Sequence, residues 1–244
     1  MFLKDFYSID NGSVQIDAQQ ASLFAKEVAG DFNPLHDPDS KRFCVPGDLL
    51  FSLVLEKYGL SEKMNFTFSG MVGHGVRLEF PETDAERFDI TDNNQKTYLQ
   101  VERYGAINHD ETTIEALVRD YVAFSGQNFP YVLVPLLEKE NVMINLDRPL
   151  VIYDSMTVEF NSLNFSEPRL EMLEPELEVT GKRGSARLHF QIEESNKVVG
   201  SGYKKLAISG LREFEAEPMQ QFVDNYLARK EQYFAVLPKA SGQT

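Results

Sequence analysis

Positive charge is scarce in this 244-residue chain: 24 Lys and Arg stand against 38 Asp and Glu, leaving a net charge of −14. Neutralising nucleic-acid phosphates takes a basic face, and a chain this acidic has little surplus cation to build one. The same shortage argues against docking on an anionic membrane. Cysteine is scarcer still, and the lone Cys44 cannot close an internal disulfide, which fits a reducing compartment. No uncharged apolar run approaches the roughly 18 residues of a membrane span. Lys4, Asp5 and Asp10 interrupt the opening segment, so no signal-peptide core is expected. The four histidines lie far apart in sequence and no Cys/His ligand spacing occurs, so neither a metal site nor a cofactor is expected. Gly70-Met71-Val72-Gly73-His74-Gly75 lacks the Gly-Lys-Ser/Thr ending of a phosphate loop and does not meet the dinucleotide pattern. The chain reads as soluble and cytoplasmic.

What is there is ordinary globular material with an uneven charge. Residues 1–125 carry 11 basic and 21 acidic residues, and residues 126–244 carry 13 and 17. Within the second half, residues 181–212 hold Lys182, Arg183, Arg187, Lys197, Lys204, Lys205 and Arg212 against only Glu193 and Glu194. Such a stretch either discourages unwanted pairing at strand edges or meets an anionic ligand.

The periodicities give an element order. Asp17 with Gln20 three residues on reads as a capping box opening a helix over 18–28, and Gly30 sits where a helix ends. From Asp48 to Tyr58 the apolar residues point in nearly every direction around a helical period, so this helix is expected to be buried. Strands are expected over 65–68, 75–80, 97–104 and 112–124, with turns at Asn93-Asn94 and Asn108-His109-Asp110. The second half repeats the outline. It has a Pro-interrupted apolar stretch over 129–142, kinked at Pro135 if helical. Strands are expected over 155–163, 169–180, 185–193 and 198–209. Met219, Phe222, Val223, Tyr226 and Leu227 put an apolar stripe on a closing helix over 218–234, which packs on the protein body or forms a homodimer contact. Residues from Lys239 read as a loose tail. A buried helix followed by strands makes an α+β unit.

Chemistry concentrates in one loop, Gly30-Asp31-Phe32-Asn33-Pro34-Leu35-His36. A carboxylate and an imidazole this close can converge on one water, one taking a proton while the other supplies one. Pro34 restricts the loop and biases Asn33 away from helix. A turn-rich helix exit with no chemistry is the plainer reading of the same residues. His74 reads as a turn histidine or an accessory group, His109 and His189 as turn and strand residues, and Cys44 as a small structural residue.

The run from Phe24 to His36 resembles the signature of MaoC-like, (R)-specific enoyl-CoA hydratases. These are hot-dog proteins, in which a curved antiparallel sheet wraps a central helix. The chain as a whole is read as a member of a bacterial hot-dog family. The resemblance implies that Asp31 and His36 activate water for addition to a trans-2-enoyl thioester, that Asn33 positions them, and that backbone N–H groups of Gly47 and Asp48 polarise the thioester carbonyl. It implies an acyl-CoA or acyl-carrier thioester as partner, with Lys41, Arg42, Lys182, Arg183, Lys204 and Lys205 as candidates for its phosphates. The chain departs from the pattern at Pro46, where a His precedes the glycine in the family, and at Arg42, where a small residue is usual. A non-catalytic acyl-thioester binder and a thioesterase are the alternatives. The length accommodates two hot-dog units in tandem: residues 1–125 with the motif, 126–215 without it, and a closing helix and tail over 216–244.

Overall fold

The structure is a computed structural model and describes residues 2–236; the tail expected from Lys239 lies outside them. In chain order the strands are β1 (Ser8–Asp10), β2 (Ser13–Gln15), β3 (Leu60–Phe68), β4 (Arg77–Glu79), β5 (Arg87–Asp92), β6 (Thr97–Asn108), β7 (Val142–Met143), β8 (Val151–Phe160), β9 (Arg169–Met172), β10 (Glu176–Thr180), β11 (Arg183–Glu194), β12 (Lys197–Ser209) and β13 (Arg212–Glu213). The helices are α1 (Ala18–Leu23), α2 (Gly47–Tyr58), α3 (Glu111–Gly126), α4 (Val134–Lys139) and α5 (Ala216–Val236).

Ten strands form one antiparallel path, β1-β2-β4-β5-β6-β3-β8-β12-β11-β10, with β9 also on β11 and β7 paired to β13 apart. β3 and β8 join its two halves, in register from Lys63 opposite Glu159 to Thr67 opposite Ser155. The α+β class and the buried helix match the expectation, and the arrangement is hot-dog-like. Leu49, Leu50, Phe51, Leu53, Val54 and Leu55 of α2 are all buried. Each contributes roughly 1.5–3 kcal/mol relative to exposure, which explains a helix whose only exposed residue is Lys57 in its last turn. Gly59 ends it at φ 82. A second, smaller core gathers Leu133, Leu136, Leu137, Leu188, Leu206 and Ile208, and Tyr153 touches both cores.

One expectation is overturned. Residues 112–124 form helix α3, not the longest strand. Ile114, Leu117, Val118, Tyr121 and Val122 are its buried residues, and their spacing is the helical one. The expected turn at Asn108-His109-Asp110 is the helix start, where the Thr113 N–H donates to the Asp110 carboxylate at 2.8 Å. The proposed unit boundary at residue 125 falls in the last turn of this helix. Two further differences are smaller. The strand expected over 169–180 is split into β9 and β10 around Pro175, and β5, with Phe88 and Ile90 alternating inward, had no counterpart among the expected strands.

Candidate functional site

The capping box forms as expected: the Gln20 N–H donates to Asp17 at 2.7 Å and the Asp17 N–H to the Gln20 side chain at 3.0 Å. Beyond α1 the helix widens into a π-helical stretch, Phe24–Ala29, and Gly30 closes it in the left-handed region at φ 64. This exit turns Asp31 inward instead of continuing along the helix surface. Asn33 caps the following 3-10 turn, its side-chain oxygen accepting from the Leu35 N–H at 3.1 Å. Its own N–H donates to Asp31 Oδ1 at 2.9 Å. Asn33 therefore shapes the loop through its cap and its backbone.

The Asp31 and His36 side chains do meet, with Oδ2 and Nε2 3.6 Å apart. His36 Nδ1 lies 2.7 Å from the Cys44 carbonyl. A carbonyl only accepts, so Nδ1 carries a hydrogen, and the tautomer this fixes has its Nε2 lone pair directed toward Asp31. Two acceptors thus face each other at a separation that one water, about 2.8 Å from each, can bridge. Such a water gives away both hydrogens and turns its lone pairs outward, as a nucleophile needs.

Asp31 has a third support that sequence reasoning missed. Tyr226, from α5, donates its hydroxyl to Asp31 Oδ1 at 3.0 Å while accepting from the Phe32 N–H at 2.9 Å. Burial and the neighbouring Asp31 charge push this phenol far above its ordinary pKa, so it remains a donor. The rest of α5 fastens the same loop. Arg229 reaches Asp37, Lys230 donates to the Gly30 carbonyl, and Phe32 packs edge-on against Tyr226, Tyr233 and Phe234. Tyr226 was visible only as part of an apolar stripe; nothing in the spacing distinguishes a hydroxyl with a task from one at a core edge.

These groups open on a cavity of about 480 Å³. One wall is the motif loop and the start of α2. The opposite wall, with Leu133, Ile144, Leu150, Ile152 and Leu206, comes from the second half. Gly47 is the first residue of α2 and lines the cavity; a Cβ there would come within 2.9 Å of the Tyr153 ring. The first N–H groups of a helix have no intrahelical acceptor, and the positive end of the helix dipole lies with them.

The expected substrate-binding cations separate. Lys41, Arg42, Lys182, Arg183 and Lys205 do not line the cavity, and Lys205 pairs with Asp154 at 3.2 Å. Lys204 lines it but is buried, 9% exposed, and faces Asp48 and Ser125, so its position is unlike that of a surface phosphate ligand. The Ser125 hydroxyl donates to Asp48 Oδ2 at 2.6 Å and accepts from Lys204 Nζ at 2.5 Å. Cys44 is partly buried, and desolvation pushes its thiol up to about 11. Among the described residues no three His, Cys, Asp or Glu side chains gather where they could share a metal ion, and no helix is long and apolar enough to cross a membrane.

A hot-dog-like α+β protein with a carboxylate–imidazole pair on an internal cavity is the class these features define. The chain belongs to the family described as protein of unknown function DUF3581, whose model matches residues 1–217. Among solved structures it is similar to the full-length peroxisomal multifunctional enzyme type 2 of Drosophila melanogaster, at 11% identity and a TM-score of 0.46 over 80% of this chain and 47% of that one. It is also similar to an acyl-CoA thioesterase II from Mycobacterium marinum, at 10% and 0.42 over 88% and 99%. A third similarity is to a MaoC-like dehydratase, at 7% and 0.43 over 84% and 98%. The chain spans about half the length of the Drosophila enzyme. No curated protein matches it.

Proposed function

We propose that the chain acts on acyl thioesters, hydrating a trans-2-enoyl-CoA to a (R)-3-hydroxyacyl-CoA or running the reverse dehydration. The observation that carries this reading is the 3.6 Å gap between Asp31 Oδ2 and His36 Nε2, two acceptors on the wall of a largely apolar cavity. Water held there attacks the β-carbon as Nε2 takes one of its protons. That proton passes to the α-carbon on the same face, so both groups end as they began. The Gly47 N–H, at the positive end of α2, stabilises the negative charge that builds on the thioester oxygen.

The sheet is read as two hot-dog units, over 1–125 and 126–215, followed by a closing segment over 216–244 whose helix α5 (Ala216–Val236) packs over the motif loop. In support, the order β3-β6-β5-β4 on one side is mirrored by β8-β12-β11-β10 on the other, and a helix precedes each set, α2 in one and α4 in the other.

Clean protein given short and medium enoyl-CoA substrates should consume them, and Asp31→Asn should stop it. Absence of turnover, with Asp31→Asn indistinguishable from wild type, sinks the proposal. One observation favours a non-catalytic binder instead: Pro46 stands at the N-cap of α2, where the hydratase pattern has a His. Tight acyl-CoA binding without turnover would decide for that reading. Release of free CoA would mark a thioesterase.

A further inference from the structure

The cavity holds a second polar group that hydration does not use. Asp48 from α2, Ser125 from α3 and Lys204 from β12 converge on it from elements distant in sequence. Lys204 Nζ also stands 4.0 Å from the centre of the Tyr153 ring, whose hydroxyl meets that of Tyr121 at 2.5 Å. Asp48 and Lys204 are both buried residues, their side chains 11% exposed, in a cavity whose other walls are largely apolar. Taking both charges out of water is costly unless their remaining hydrogen-bonding capacity is filled.

It is not filled within the protein. Asp48 Oδ1 is buried without a hydrogen-bond partner. Lys204 Nζ is 3.9 Å from it, too far to donate directly. Lys204 carries three N–H groups, of which Ser125 takes one. The amide nitrogen of Asn128, also on the cavity wall, is likewise buried without an acceptor. A plain hydrocarbon chain sealed against these atoms would leave them desolvated and unpaired.

The geometry selects among ligand groups. A single oxygen about 2.8 Å from both Nζ and Oδ1 closes the 3.9 Å gap if it accepts from one and donates to the other. A hydroxyl does both. A carbonyl cannot donate to Asp48, and a carboxylate is repelled by it. An amide divides its donor and acceptor between two atoms.

We propose that the Asp48–Ser125–Lys204 cluster is a specificity site for a hydroxyl group on the acyl chain, beyond the carbons at which Asp31 and His36 react. The proposal rests on the acyl-thioester reading and narrows it to hydroxylated acyl chains.

The test is calorimetric binding of saturated acyl-CoA thioesters of one length, unsubstituted or with a single hydroxyl walked outward from carbon 4. One hydroxyl position should bind at least about tenfold tighter than the unsubstituted chain. The advantage should vanish in the paired variant Lys204→Met with Asp48→Leu, and also in Ser125→Ala, which retains both charges. If the unsubstituted chain binds and no hydroxyl position improves on it, a water fills the gap and the proposal fails. It fails equally if the advantage survives both variants. If no acyl-CoA binds at all, the acyl-thioester reading falls, and the specificity site with it.

Discussion

Two polar pairs on one cavity, each bridgeable by a single oxygen, differ in what flanks that oxygen. Asp31 and His36 are two acceptors 3.6 Å apart, while Lys204 and Asp48 are a donor and an acceptor 3.9 Å apart. Between two acceptors an oxygen gives up its hydrogens and keeps its lone pairs free, which suits attack. Between a donor and an acceptor it gives one hydrogen and receives another, which suits recognition. The supports differ in the same sense. The first pair is held by backbone N–H and C=O groups and by Tyr226, and the second by a buried hydroxyl relay. Separation alone therefore says little about a polar pair; the hydrogen-bonding character of its two ends decides what can occupy it.

The contrast can be broken most sharply at the first gap. His36→Ala is expected to lower turnover of an enoyl thioester by about 10²–10⁴-fold, the range of a lost general base, measured at saturating substrate. At the second gap the large effect is on stability. Lys204→Met alone strands a buried carboxylate and should cost about 3–5 kcal/mol in denaturant unfolding. Adding Asp48→Leu should restore most of that loss, because it removes the unpaired charge. A double variant no more stable than the single one would mean the two side chains do not act as a pair.

Gly126 ties the two regions together. It follows Ser125 in α3, and a Cβ there would overlap the Ala29 carbonyl just before the motif loop. Gly126→Ala should cost about 1–3 kcal/mol, read as a lower thermal midpoint, and should weaken both gaps at once. Tyr226→Phe keeps the aromatic packing but loses the donor to Asp31. It should lower kcat about tenfold or more with little change in KM, since a misplaced group slows the chemistry more than the binding. The smallest effect concerns Cys44. Its thiol titrates near 11, and alkylation needs the thiolate, so modification should be slow at pH 8 and accelerate only as the pH climbs toward that value.

The parts of this molecule legible in its sequence were those governed by neighbours along the chain. The capping box at Asp17, the helix stop at Gly30 and the all-round apolar run of α2 depend on residues a few positions apart. The meeting of Asp31 and His36 does too. Residues 112–124 were misread because β-branched and aromatic side chains suggest a strand, although the 114/117/118/121/122 spacing already carried the helical period. The Asp48–Ser125–Lys204 cluster was not legible, since its members are joined only by tertiary packing. Lys204 in particular was grouped with its basic neighbours, whereas strand alternation turns it inward and Lys205 outward.

The hydroxyl of Tyr226 reaches Asp31 across 195 positions of chain. During synthesis the motif loop is made early, yet its carboxylate is not fixed until residue 226 has emerged. Half-made chains therefore carry the residues of the pair without the means to hold them in place. The site is completed only once residue 226 has emerged, through a contact that no fragment ending short of it contains.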